Sequence, residues 1–286
     1  MNISGHTRPY AVLGHPIGHT LSPVMHNASI DALGLDSIYL AFDVHPDELL
    51  AVLPAMRRMG FGGVNLTIPH KEVAFRGLEQ LDASAKLLGA VNTVQFVDGG
   101  MVGHNTDGYG FLRALDEAFG CNTKGDKVFV LGSGGAGRAV ALMAAQSGAR
   151  EVTLADLDRA RSERVGEEIR GHFPAVAVQV VATPAEQVAA ARQADLVVQA
   201  TPVGMKPGDQ SLLPPAAFRS GQRAFDLIYH VPETVFMKAA HAGGAKAANG
   251  LGMLLHQGAR AFQIWTGTEP SVPAMRAALE QAVYKR

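Results

Sequence analysis

Short apolar, β-branched runs alternate with longer stretches in which apolar residues recur at helical spacing, from the start of the chain to about residue 249. "YAVLG" predicts a strand, "SPVMHNASIDALG" a helix with Ser22 as N-cap and Pro23 in its first turn, and "SIYLAFDV" a second strand. A helix over roughly Asp47 to Met59 stopped by Gly60, the strand "GGVNLT", and a hairpin of "VNTVQFV" and "MVGH" about Asp98-Gly99-Gly100 follow. After a helix from Tyr109 to Phe119, a second series begins: "KVFVL", helix, "EVTLA", helix, "AVQVV", a helix from Pro184, "DLVVQA", loop, "AFDLI", a helix from Glu233 and "AKAAN". The alternation implies an α/β protein whose sheets are largely parallel, with helices on both faces. The last segments, "GLGMLLHQGARAFQIWTG" and "VPAMRAALEQAVY", are amphipathic helices without strands of their own. They are expected to pack back on the first domain, which gives residues 1–108 with 250–286 as one domain and 109–249 as a doubly wound domain, with a cleft between them.

The second series carries a recognisable loop. "KVFVLGSGGAG" places Gly132, Gly134 and Gly137 between an apolar strand and a helix, the setting in which G-x-G-x-x-G marks a Rossmann dinucleotide site. The first glycine allows the tight turn, the second lets backbone N–H groups approach a pyrophosphate, and the third lets helix and strand pack closely. Ser133, Gly135 and Ala136 complete the cradle, and the helix N-terminus favours negative charge. Asp156, at the end of the second strand, stands near the position from which an acid binds the ribose 2′-hydroxyl of NAD and repels the 2′-phosphate of NADP. Arg159 and Arg161 stand close enough in sequence to receive such a phosphate, and Asp156 and Asp158 are also suited to an Asx turn or a helix cap.

Composition narrows the classes of function. With 286 residues, 25 basic against 26 acidic and a formal charge of −1, the chain has no basic field for nucleic acid or an anionic membrane. The single Cys121 cannot form an intrachain disulfide, and neither a leader pattern nor a spanning apolar run is visible, so a cytoplasmic setting is expected. The 11 histidines include His15 and His19 four apart, but Pro16 and Gly18 break any shared helical face and no H-E-x-x-H or Cys–His cluster occurs; no metal is expected. His26, His70, His230 and His256 border candidate site segments and are taken as packing or hydrogen-bonding residues.

Two further segments place polar groups where strands end, the usual ligand side of an open α/β sheet. "GVNLTIPHK" supplies Asn65, Thr67 and Lys71, and "GHNTDGYG" supplies Asn105 and Asp107. Together with "GHPIGHTLSP", "MHN", "LGAVNT", "GSGGAGRA", "ATPVGM", "DLIYHVPET" and "NGLGMLLHQGARAFQIWTG", in this order over nearly the whole length, they make the chain resemble the shikimate dehydrogenase family, which includes quinate and aminoshikimate-type relatives.

The resemblance implies that Lys71 and Asp107 form a catalytic dyad, and that Thr20, Ser22, Asn65, Thr67, Asn92, Tyr229 and Gln257, with Asp107, bind a polyhydroxylated ring carboxylate. It further implies that the nicotinamide end of the cofactor is bordered by Thr201, Pro202, Val203, Met205, Leu227, Gly250 and Met253, and it is in keeping with a homodimer. Two departures stand out. Thr20 replaces the family's common serine, and Asp156, Leu157 and Asp158 align with an Asn-Arg-Thr segment that grips the 2′-phosphate in NADP-using members. On these grounds the cofactor is expected to be NAD in preference to NADP, and the substrate shikimate or quinate. An aminoshikimate-type dehydrogenase and a sensing homologue without turnover are the alternatives.

Overall fold

The computed structural model describes residues 3–284, and these fall into two compact units, one running to Gly110 and resuming at Leu254, the other comprising Phe111–Met253. The first unit holds β1 (Arg8–Gly14), α1 (Ser22–Leu33), β2 (Ser37–Asp43), α2 (Leu49–Arg58), β3 (Gly63–Leu66), α3 (His70–Gly77), β4 (Gln80–Leu81), α4 (Ala83–Leu88), β5 (Thr93–Val97) and β6 (Gly100–His104). Helix α5 (Asp107–Phe119) leads into the second unit. There follow β7 (Lys127–Leu131), α6 (Gly135–Gln146), β8 (Glu151–Ala155), α7 (Arg159–His172), β9 (Ala177–Val180), α8 (Pro184–Gln193), β10 (Leu196–Gln199), β11 (Arg223–Asp226), α9 (Val235–Ala242) and β12 (Lys246–Ala248). Helices α10 (Leu251–Thr266) and α11 (Val272–Tyr284) end the described chain.

The first sheet is ordered β2-β1-β3-β5-β6-β4. Its β2, β1 and β3 run parallel, while β3–β5 and β5–β6 are antiparallel, with the hairpin turning at Gly99 with φ +84°. A core of Leu13, Leu49, Leu53, Val64, Leu66 and Val94 covers one part of this unit, and Tyr10, Ile30, Tyr39, Phe262 and Trp265 form a second cluster. The return of the chain is visible in α11, which packs on α1, and in Trp265 of α10, whose indole N–H donates to the Val94 carbonyl at 3.0 Å.

The second sheet is wholly parallel, in the order β12-β11-β10-β7-β8-β9, so the chain reverses direction of winding between β7 and β10. Ligands in such sheets sit beyond the carboxyl ends of the strands at that reversal. Its central strands β7, β8, β10 and β11 are buried on both faces, which explains why they are short continuous apolar runs rather than alternating ones.

Several predicted boundaries shift. Ser22 is the first residue of α1 and not its cap: Leu21 holds the cap position without a side-chain bond, and the Ser22 N–H donates to Thr20 Oγ1 at 3.3 Å. The helix expected from Asp47 opens as a 3-10 turn over Pro46–Glu48, with α2 beginning at Leu49. By contrast, Thr183 caps α8 with a reciprocal capping box to Glu186, which is why Pro184 is found in the first turn as its sequence predicts. Among the described residues no helix is long and apolar enough to cross a membrane, and no group of three or more His, Cys, Asp and Glu is placed to hold a metal ion.

Candidate active site

In the first unit β3, the residue before β5 and the starts of α3 and α5 bring Asn65, Asn92, Lys71 and Asp107, with Gln257 of α10, into one hydrogen-bonded network. Lys71, in the first turn of α3, reaches Asp107, the first residue of α5, with Nζ 2.6 Å from Oδ2. The ion pair is partly covered, with side-chain exposures of 30% and 19%, so it is shielded from bulk water yet open to a ligand. The other oxygen of Asp107 accepts from Asn92 Nδ2 at 2.9 Å, and the Asn105 side chain accepts from the Asp107 backbone N–H at 3.0 Å. Asp107 is therefore fixed from three sides, and its carboxylate fixes the lysine in turn.

Asn92 is buried and fully committed. Its amide also donates to Thr106 Oγ1 at 2.9 Å and lies 3.4 Å from Gln257 Oε1, while its Oδ1 accepts from the Thr106 N–H at 2.8 Å and from Thr93 Oγ1 at 3.0 Å. Asn65, on β3, donates to the Asn92 carbonyl at 3.1 Å and to Thr93 Oγ1 at 3.0 Å. Its Oδ1 accepts from the hydroxyl of Tyr39 at 2.7 Å. Thr20 and Ser22, in the approach to α1 and its first residue, lie together with their hydroxyls 3.3 Å apart. Thr20 Oγ1 also accepts from the Ser22 N–H at 3.3 Å, and both hydroxyls are half-buried. Thr67 closes β3 half-buried, with its N–H on the Leu13 carbonyl. Of the predicted substrate residues Tyr229 alone belongs to the other unit; it sits half-buried in the loop after β11, where burial raises its phenol pKa.

The second unit has the features of an anion cradle. Gly132 has φ +100°, which L residues rarely adopt, and a Cβ on Gly137 would collide with the Gly132 carbonyl oxygen. Gly134 and Gly135, at the start of α6, face open space, and no side chain caps that helix. The free N–H groups and the space beside them fit a pyrophosphate. Two buried polar residues hold the loops that follow the next strands. Gln199, ending β10, accepts from the Thr201 N–H at 2.7 Å and donates to the carbonyls of Thr201 and Val203. Asp226, ending β11, accepts from the Ile228 N–H at 3.0 Å and from Thr234 Oγ1 at 2.6 Å, and burial pushes its pKa up to about 6. A Cβ on Gly250 would meet the Leu227 backbone, so that glycine lets the start of α10 lie against the β11 loop. Met253 follows half-buried on α10, whereas Pro202 and Met205 are exposed at the other loop.

Asp156 is less free than its sequence position suggests. Its oxygens accept from the N–H groups of Ser133, at 2.6 Å, and Asp158, at 2.8 Å, and the Arg161 guanidinium lies 3.7 Å away. Asp158 is the N-cap of α7, its carboxylate accepting from the Arg161 N–H. Arg159, Arg161 and Arg164 all stand on the first turns of α7.

Family models agree with this geometry: the shikimate dehydrogenase substrate binding domain matches residues 12–94 and the Shikimate 5'-dehydrogenase C-terminal domain residues 250–280. The Saccharopine dehydrogenase NADP binding domain matches residues 128–205. A protein of Methanopyrus kandleri named shikimate dehydrogenase (NADP(+)) is 41% identical over 281 residues, 98% of this chain and 97% of its own. The chain belongs to the shikimate dehydrogenase family. A second such relative, from Moorella thermoacetica and with the same name, is 41% identical over 99% of this chain and 96% of its own. The crystal structure of shikimate 5-dehydrogenase from Listeria monocytogenes with shikimate and NAD superposes with a TM-score of 0.92 at 36% identity, covering 98% of both chains.

Within this family the expected preference for NAD over NADP is corrected. Curated relatives that are similar along the full length are named for NADP(+), although this chain lacks the Asn-Arg-Thr segment. The physical reason lies in Asp156: the exclusion rule presumes a carboxylate free to face the ribose, whereas here it clasps the glycine loop to the end of β8 and is offset by Arg161.

Sequence reasoning missed Tyr39, Gln199 and Asp226. Polar residues closing the apolar runs "DLVVQA" and "AFDLI" were a usable signal for the last two. Tyr39 had none, because a tyrosine on the inward face of a strand looks like core until its hydroxyl partner is known.

Proposed function

We propose that the protein interconverts shikimate and its 3-dehydro ketone, with NADP as the redox partner. The observation that carries the reading is the Lys71–Asp107 pair, 2.6 Å apart and tied through Asn92 to Gln257. The nicotinamide, when bound, takes up or gives back the hydride of the carbinol carbon. Lys71 handles the accompanying proton: as the amine it accepts the proton of the alcohol during oxidation, and as the ammonium it returns that proton to the carbonyl oxygen during reduction. Asp107 orients Lys71 and offers its remaining acceptor capacity to a neighbouring ring hydroxyl. Thr20 and Ser22 donate to the substrate carboxylate, while Asn65, Thr67, Gln257 and Tyr229 serve the ring hydroxyls and Asn92 holds Asp107 in place. On the cofactor side the N–H groups from Gly134 to Gly137 would hold the pyrophosphate, with Arg159 and Arg161 as cations for a 2′-phosphate. The segments Thr201 to Met205, Leu227, Gly250 and Met253 border the nicotinamide.

The test is an initial-rate comparison of shikimate and quinate, each with NADP⁺ and NAD⁺. Turnover of shikimate with NADP⁺ supports the reading. Silence with all four pairs, while calorimetry still registers ring-acid binding, would replace it with a sensing role.

A further inference from the structure

Tyr39 lies at the floor of the first unit's network without belonging to any motif that suggests the site. Its side chain is 1% exposed. The ring stacks on His26 with centroids 4.1 Å apart and planes 8° from parallel, and the backbone is clamped on both sides by Asn27, whose amide exchanges two hydrogen bonds of 2.9 Å with the Tyr39 N–H and carbonyl. The residue therefore has very little freedom, and its hydroxyl is a fixed point.

That hydroxyl has one proton and two lone pairs. The proton goes to Asn65 Oδ1 at 2.7 Å. Asn65 spends both amide hydrogens on the Asn92 carbonyl and on Thr93 Oγ1, so its orientation is set from both ends. Thr93 Oγ1 continues to Asn92, and Asn92 to Asp107 and thence to Lys71. One buried phenol thus anchors the asparagine that leads to the Lys71–Asp107 pair.

We infer that Tyr39 is a positioning residue for substrate recognition, acting through Asn65 and not by touching the substrate. The inference rests on the proposed function, in which Asn65 binds the ring acid. Without the phenol, Asn65 Oδ1 loses its donor in a site with little access to water, and the amide is held at its nitrogen end alone.

Tyr39→Phe keeps the ring stack and the backbone clamp and removes only the hydroxyl. The KM for shikimate is expected to rise roughly five- to tenfold, the size of one lost buried hydrogen bond, while kcat and the KM for NADP⁺ stay within about twofold. In an Asn65→Ala background the same change is expected to add nothing, because Tyr39 then has no Asn65 to position. Thr93→Val releases Asn65 from its other buried hydroxyl and is expected to raise the same KM; it decides the matter if Tyr39→Phe does not fold. An unchanged shikimate KM, multiplicative effects in the double variant, or a loss spread equally over shikimate, NADP⁺ and kcat would overturn the inference. The unmodified protein run alongside separates the two readings. Without shikimate turnover there, the proposed function fails and the role of Tyr39 with it; with turnover there and none of the expected changes in the variants, only the positioning role fails.

Discussion

Lys71 and Asp107 come from helices far apart in sequence, and each is held by neighbours that do no chemistry: Asn105 and Asn92 fix the carboxylate, which fixes the ammonium. Lys71→Ala is expected to lower kcat by roughly 10²- to 10⁴-fold, the range of a lost acid–base group, with NADP affinity by calorimetry unchanged. Retained turnover would remove Lys71 from the mechanism. His26 gives a prediction about stability. Both its ring nitrogens are buried without partners, and burial lowers its pKa to about 3. The folded state thus keeps it neutral while the unfolded chain takes up a proton below about pH 6.5, so stability is lost as pH falls. The loss is expected to reach about 2 to 3 kcal/mol between about pH 6.5 and about pH 4.5, and His26→Phe, which keeps the stack on Tyr39, is expected to flatten that slope in urea melts. An unaltered slope would mean that other groups set the acid limit.

At the level of elements, the turn from β7 into α6 separates two uses of glycine. Gly137 packs against the Gly132 carbonyl, whereas Gly134 faces open space at the helix start. Gly137→Ala is expected to cost about 1 to 3 kcal/mol of stability by overpacking, as well as cofactor affinity. Gly134→Ala is expected to leave stability within about 0.5 kcal/mol and still to weaken NADP binding at least tenfold, because the added methyl occupies the space of the anion. Thermal melts and calorimetry on the two variants check this; equal stability losses would contradict the division. These elements were also the legible ones. The parallel strands of the second unit announce themselves as buried apolar runs, and the hairpin about Gly99 by its turn residues. The segment from α3 to α4 was not resolved into elements beforehand, since a two-residue strand such as β4 and a six-residue helix such as α4 are too short for periodicity to register. Ser22 misled for a different reason: Ser before Pro has the residue types of a cap, but the chain turns one residue earlier, at Leu21, which leaves the hydroxyl for the site.

Across the whole molecule, each unit has its own sheet and its own buried clusters, and the glycine loop proposed to hold the cofactor lies within one of them. Saturating NADP⁺ is therefore expected to raise hydrogen-exchange protection first in β7, β8 and α6, by up to about 2.7 kcal/mol at a hundredfold excess over Kd, with β1 to β3 responding less. Uniform protection would mean that the units do not open separately. Motif order was enough to single out Lys71 and Asp107, which the fold brings within 2.6 Å, and the glycine turn between β7 and α6. It failed on the cofactor, because residue type at Asp156 does not say whether a carboxylate faces the ligand or its own backbone. The most direct test of the account is kcat/KM for shikimate with NADP⁺ and with NAD⁺, measured by nicotinamide absorbance on the same preparation. The account predicts robust turnover with NADP⁺ as the better acceptor; a clear preference for NAD⁺, or no oxidation of shikimate with either, would contradict it.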